Sequence, residues 1–169
     1  MKAVCKYVWA FVLTLLCSSS IVSAQSADQK SLHDTDDTPI ERLIIKYAAI
    51  KGSRDFIASG NQIILARSLI KRTNLAPIAA EVNVLEVLKM QNAEPNEIQA
   101  FEKDLKSALT TYKYYGKADS KNGKVDVYFT QNSKGNIDEL VIYNPENQTL
   151  NSLKGDISPA LVQSVNQME

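Results

Sequence analysis

The side chains able to do chemistry are few and scattered. His33 is the only histidine in the chain, and it stands among Asp34, Asp36 and Asp37, donor types that suit a divalent metal. Coordination needs a preformed cage, however, and the stretch from Gln25 to Thr38 holds almost no apolar residue beyond Leu32, so the cluster is read as solvated linker. With that histidine in the linker, a nucleophile–histidine arrangement has no base. Ser68 and Lys71 lie three apart on a helical pattern, a spacing that surface helices produce constantly. Asp138 and Glu139 are adjacent on a strand-like run, point to opposite faces and cannot flank one bond. Asp126 and Asp156 could be brought together by a sheet, although a solvated face accounts for them equally. No GxGxxG, P-loop or histidine–carboxylate metal signature occurs. These residues predict no catalytic set, no metal and no cofactor.

The aromatic residues carry more. Tyr112, Tyr114, Tyr115, Tyr128 and Tyr143 fall in one C-terminal block. If Tyr114, Tyr128 and Tyr143 share the outer face of a sheet, they form a row suited to stacking on carbohydrate or to a peptide or protein partner. The alternative is that cross-strand tyrosines simply stabilise an exposed sheet face.

The elements that must position these rings can be read in order. Thr38-Pro39-Ile40-Glu41 is a capping box with proline at the first helical position, and Ile40, Leu43, Ile44, Tyr47 and Ala48 recur at helical spacing up to Gly52, a left-handed cap. Arg54 to Ser59 suits a short strand, Gln62 to Arg72 a helix, and Thr73 to Pro77 a loop. Glu81 to Leu88 is ambiguous, with strand favoured for its first half. From Pro95 a helix carries Ile98, Phe101, Leu105, Ala108 and Tyr112 as one seam, with Glu102 and Lys106 paired on the outer side.

From Tyr112 to Ile157, strand-like runs are separated by three turns: Asn122-Gly123, Lys134-Gly135-Asn136 and Asn144-Pro145-Glu146-Asn147. Val125, Val127 and Phe129 alternate with Asp126, Tyr128 and Thr130, the first set facing the core and the second water. Leu140 to Tyr143 is apolar on both faces, which suits a central strand, and Gly155 marks a bend or bulge. Ser158-Pro159 opens a short closing helix. The expected fold is α+β: an antiparallel β-meander of about four strands plus one or two N-terminal strands, packed on amphipathic helices on one face.

The first two dozen residues stand apart. Lys2 and Lys6, the apolar run from Tyr7 to Leu16 and Val22-Ser23-Ala24 predict a signal peptide, residues 1–24, cleaved after Ala24 and too short to span a bilayer. Bulk before Cys17 argues against a lipid anchor there. Both cysteines, Cys5 and Cys17, leave with the signal, so no disulfide is expected in the mature chain. Removing 24 of 169 residues leaves a tether over 25–37 and a single domain over 38–169. Losing two lysines turns 19 basic and 19 acidic residues into 17 against 19, a balance that offers nothing to nucleic acid.

The order of an amphipathic helix, a tyrosine-rich strand, V-D-V-Y-F, I-D-E-L-V-I-Y and then L-x-G-D-I before a closing helix resembles the domain-of-unknown-function family numbered 4252, secreted proteins and lipoproteins of Bacteroidota. The similarity runs over about residues 38 to 168 and its motifs are structural. The resemblance implies an exported envelope protein with no catalytic residues to carry over. The expectation is therefore a periplasmic or extracellular, non-enzymatic interaction or structural module, with another envelope protein as partner. The alternative is a glycan- or peptide-binding domain that uses the aromatic sheet face.

Overall fold

The computed structural model describes residues 37–64, 80–120 and 123–160. The expected signal peptide, most of the tether, Ser68 with Lys71, the loop at 73–77 and the closing helix beyond Ala160 lie outside them.

The Thr38 half of the capping box forms, while Glu41 Oε2 accepts from Lys154 Nζ. Thr38 Oγ1 accepts a hydrogen bond from Glu41 N at 3.2 Å, and Pro39 opens α1, Pro39–Ala48. The helix stops before Gly52. That residue has a φ of 90° in the turn that follows, where a Cβ would run into the Asn92 carbonyl. Close approach of two turns, rather than a helix cap, requires glycine there.

Strand β1 spans Arg54–Ser59, as expected, and residues 60–64 are helical. Strand β2 spans Val82–Lys89 and is extended throughout, not only in its first half. Leu85 and Val87 are buried on one face and Glu86 and Leu88 on the other, so its run lacks the two-residue period that would have revealed it. Helix α2 spans Pro95–Ala108, and a single 3₁₀ turn, Leu109–Thr111, delivers Tyr112 to the sheet. Then follow β3, Lys113–Ser120, β4, Gly123–Gln131, β5, Ile137–Asn144, and β6, Thr149–Ile157.

All six strands form one antiparallel sheet in the order β1-β2-β6-β5-β4-β3. The four-strand meander is as expected, with the two N-terminal strands added beside β6. Helix α2 therefore crosses the sheet from β2 near one edge to β3 at the other. Ser120 pairs with Gly123, and Asn122 of the expected Asn122-Gly123 turn lies outside the described residues. At 132–136, Asn132 Oδ1 accepts from Lys134 N and Asn136 N, and the register shifts beside it. In the next turn, Asn144 Oδ1 accepts from Glu146 N. The register also shifts at Gly155, where a Cβ would meet the carbonyl of Glu81.

Both helices lie on one face. Ile40, Leu43, Ile44 and Tyr47 of α1 join Phe101 and Leu105 of α2 over Leu88, Val141, Tyr143 and Leu150 of the sheet. Phe101 packs edge-on against Tyr47 at 5.3 Å and Tyr143 at 6.0 Å, linking α1, α2 and β5. Asp104 accepts from Lys46 Nζ at 2.6 Å and Tyr47 Oη at 2.9 Å, and those donors hold its carboxyl below the usual range. Glu102 does not serve the expected pair with Lys106; it accepts from Tyr143 Oη at 3.2 Å. The opposite face is buried too, through Leu85, Val87, Leu140, Ile142 and Leu153.

Phe101 is fully enclosed. Phe101→Ala should cost about 3–5 kcal/mol and Phe101→Asp should abolish folding. Denaturant titration checks both, and a cooperative, near-wild-type transition for the aspartate variant would contradict the packing.

Candidate functional site

Two places bring polar or aromatic chemistry together. The first lies where α1 starts over the middle of the sheet. Glu139 on β5 and Ser152 on β6 are in phase with Val141 and Leu150, so the strand pleat sends all four toward the helices. Glu139 Oε1 accepts from Ser152 Oγ at 2.6 Å and from Thr38 Oγ1 at 3.4 Å, and Oε2 accepts from Tyr112 Oη at 2.5 Å. Beside it, Lys154 Nζ donates to Glu41 Oε2 at 2.5 Å and lies 3.2 Å from Glu86 Oε2, an ion pair whose geometry directs no hydrogen bond at that oxygen.

Burial sets the electrostatics of this cluster. It raises the Glu86 carboxyl; Lys154 works against that shift, and Glu41 and Glu139 add to it. Burial works against the Lys154 charge, but Glu41, Glu86 and Glu139 outweigh it and the ammonium is held more firmly than usual. Burial and Glu139 together push the Tyr112 phenol well up. Ser152 is fully enclosed and has already given its hydroxyl hydrogen to Glu139. The arrangement ties α1, β2, β5 and β6 together and presents no nucleophile. Among the described residues no group of three or more His, Cys, Asp or Glu is placed to hold a metal ion.

The second place is the β3 edge. Tyr114 pairs with Tyr128 across β3 and β4, their ring centres 5.0 Å apart, and Tyr128 lies opposite Val141 on β5. Tyr143 is two residues along β5 from Val141, so the three tyrosines do share a face. It is the helix-covered face, not an outer one. Tyr143 is only 8% exposed under Phe101, and burial followed by Glu102 pushes its phenol well up. Tyr128 is half-buried and packs against the same core. Only Tyr114 stands out, at 53% exposure, with its hydroxyl donated to Asp126 Oδ1 at 3.0 Å.

A register shift between Tyr114 and Gly116 makes Tyr115 an extra residue. Tyr115 points to the face opposite Tyr114, 45% exposed, with its ring 6.2 Å from Phe129. One aromatic ring thus flanks the edge strand on each face. The sequence pattern alone does not single out Tyr115; its signal is the glycine that follows, Gly116 with a φ of 145°.

The remaining candidates separate. Asp126 sits 3.3 Å from Lys117 Nζ, whereas Asp156 accepts from Asn132 and Asn136 at the other end of the sheet, so the two do not meet. Asp138 is exposed and Glu139 buried, and the register shifts between Ile137 and Glu139. His33, Asp34 and Asp36 lie outside the described residues.

Comparison with known proteins adds one match. The family model described as "Domain of unknown function (DUF4252)" covers residues 57–165. It begins inside β1 and leaves out α1, short of the span from residue 38 that the resemblance suggested. No curated protein and no solved structure matches.

Lys154→Met would leave three carboxylates around an apolar side chain and should cost about 3–5 kcal/mol. Glu86→Gln tests the sign of the burial effect. A raised carboxyl favours the protonated folded state, a contribution present below the ordinary carboxylate range and lost as pH rises through the raised value. Urea denaturation should therefore show Glu86→Gln gaining on the wild type as pH climbs from about 4 to about 7. Parallel curves for the two proteins would contradict that assignment.

Proposed function

The chain belongs to the DUF4252 family of domains of unknown function, and we propose that it serves as an exported interaction module of the Bacteroidota cell envelope, acting by binding rather than catalysis. The N-terminal signal pattern supports export. No helix of the described residues is long and apolar enough to cross a membrane. The observation that carries the binding role is the aromatic edge. Tyr114 and Tyr115 stand half exposed on either side of a terminal strand, each backed by a second ring, Tyr128 and Phe129. Aromatic rings held by their neighbours supply contact area at small entropic cost, which suits the centre of an interface.

Tyr143, spent in the core, shortens the three-ring row to the Tyr114–Tyr128 pair. This removes the long stacking platform a glycan chain would use and favours a protein partner. Tyr114→Ala should abolish capture of partners crosslinked in the native envelope while leaving the melting curve intact. Tyr143→Ala should instead destabilise the fold by about 3–5 kcal/mol, as large core truncations do. Equal loss of folding and capture in Tyr114→Ala would return that ring to a structural role.

A further inference from the structure

We propose that α1 is a latch closed by a proton: the carboxylate cluster around Lys154 takes up one proton while the helix lies on the sheet, and losing it as pH rises lets the helix lift. The device works whether or not the aromatic edge binds a partner.

Charge balance calls for the proton. Glu41 of α1, Glu86 of β2 and Glu139 of β5 surround the one ammonium of Lys154, so with every group ionised the cluster carries 1 − 3 = −2 in a place largely withdrawn from water. The three carboxylates are not served equally. Glu139 takes hydroxyl donors from Tyr112, Ser152 and Thr38, and Glu41 Oε2 takes the short bond from Lys154. Glu86 Oε2 is buried, stands 3.2 Å from Lys154 Nζ and accepts no hydrogen bond. A proton on Glu86 removes one of the two unbalanced charges at the oxygen with least support.

Helix α1 is the part free to respond. Among the described residues it is joined to the sheet only through the turn into β1, so it can lift without breaking a strand pair. Helix α2, by contrast, is tied to β2 at one end and to β3 at the other. Lifting α1 withdraws Glu41 and Thr38 from the cluster and returns Glu86 to water. Burial raises the Glu86 carboxyl while the helix is down, with Lys154 opposing the shift. The hold on α1 is therefore complete below the ordinary carboxylate range and is lost as pH rises through the raised value.

Few other groups bear on Glu86. Strand β1 places Ile57 opposite it, and Asp55, two residues along, is exposed. On α1, Arg42 is exposed and Lys46 is engaged by Asp104. Lys154, whose burial is outweighed by its carboxylates, and Tyr112, raised by burial and Glu139, both titrate above this window.

Hydrogen exchange of the purified mature protein, read by mass spectrometry and corrected for the intrinsic pH dependence of amides, tests the latch. Protection of the 39–48 peptide relative to the 95–108 peptide should fall about tenfold between pH 4.5 and pH 7.5, and Glu86→Gln should flatten that change. A constant ratio, a parallel loss of protection in the 95–108 peptide, or the same decline in Glu86→Gln would overturn the proposal. A carbon-13 titration of the Glu86 carboxyl in the wild type gives a reading that needs no variant. Its midpoint should coincide with that of α1 opening, and a Glu86 carboxyl that titrates in the ordinary carboxylate range would rule the latch out.

Discussion

One part-buried ammonium group, that of Lys154, joins parts of the molecule that would otherwise repel one another. Glu41 comes from the first turn of α1, Glu86 from β2 and Glu139 from the opposing position on β5. Removing these charges from water costs several kcal/mol per ion, and a lone cation cannot offset three carboxylates. Hydroxyl donors make up part of the difference. Tyr112, Ser152 and Thr38 all donate to Glu139, whose carboxylate also lies at the N-terminal end of α1, where the helix dipole is positive. The position of α1 on the sheet is thus set by hydrogen bonds with defined directions, and the apolar stripe behind it fills what they leave.

The same cluster governs the aromatic edge. Tyr112 is both a donor to Glu139 and the residue at which α2 gives way to β3, so the point where the chain enters the edge strand is anchored in the buried network. Helix α2 is held across the sheet between Tyr47 and Tyr143 by Phe101. Together these contacts fix β3 at the far side of the sheet from β1, where among the described strands its neighbour is β4. The exposure of Tyr114 is a consequence of that crossing.

Much of this was legible in the residues. The meander, the capping box at Thr38, β1 and the seam of α2 were all visible because each has a local signature: turn residues, a cap, or a period of two or 3.6. The face assignment was not. On β4 the alternation of Val125, Val127 and Phe129 with Asp126, Tyr128 and Thr130 implies a wet second face, yet that second face is the one α1 and α2 cover. The helix-covered face also carries Glu86, Glu139, Ser152 and Lys154, so hydrophobic alternation could not identify it. The useful signal was phase. Glu139 alternates in step with Val141 and Tyr143, and a charged residue in phase with a core run must be buried with a partner. Its donors are Tyr112, Ser152 and Thr38, the last more than a hundred residues away along the chain, so the set becomes visible only in three dimensions.

The bulge at Tyr115 shows the same limit at the scale of one residue. Without it, Tyr114 and Gly116 would share a face and Tyr115 would oppose them, with Lys113 and Lys117 on one side. The extra residue breaks that parity: Lys113 stays with Phe129 while Lys117 moves to the face of Asp126. A strand edge guarded by lysines and a bulge resists indiscriminate pairing. An edge that also keeps a half-exposed tyrosine on each face bears apolar surface that water disfavours.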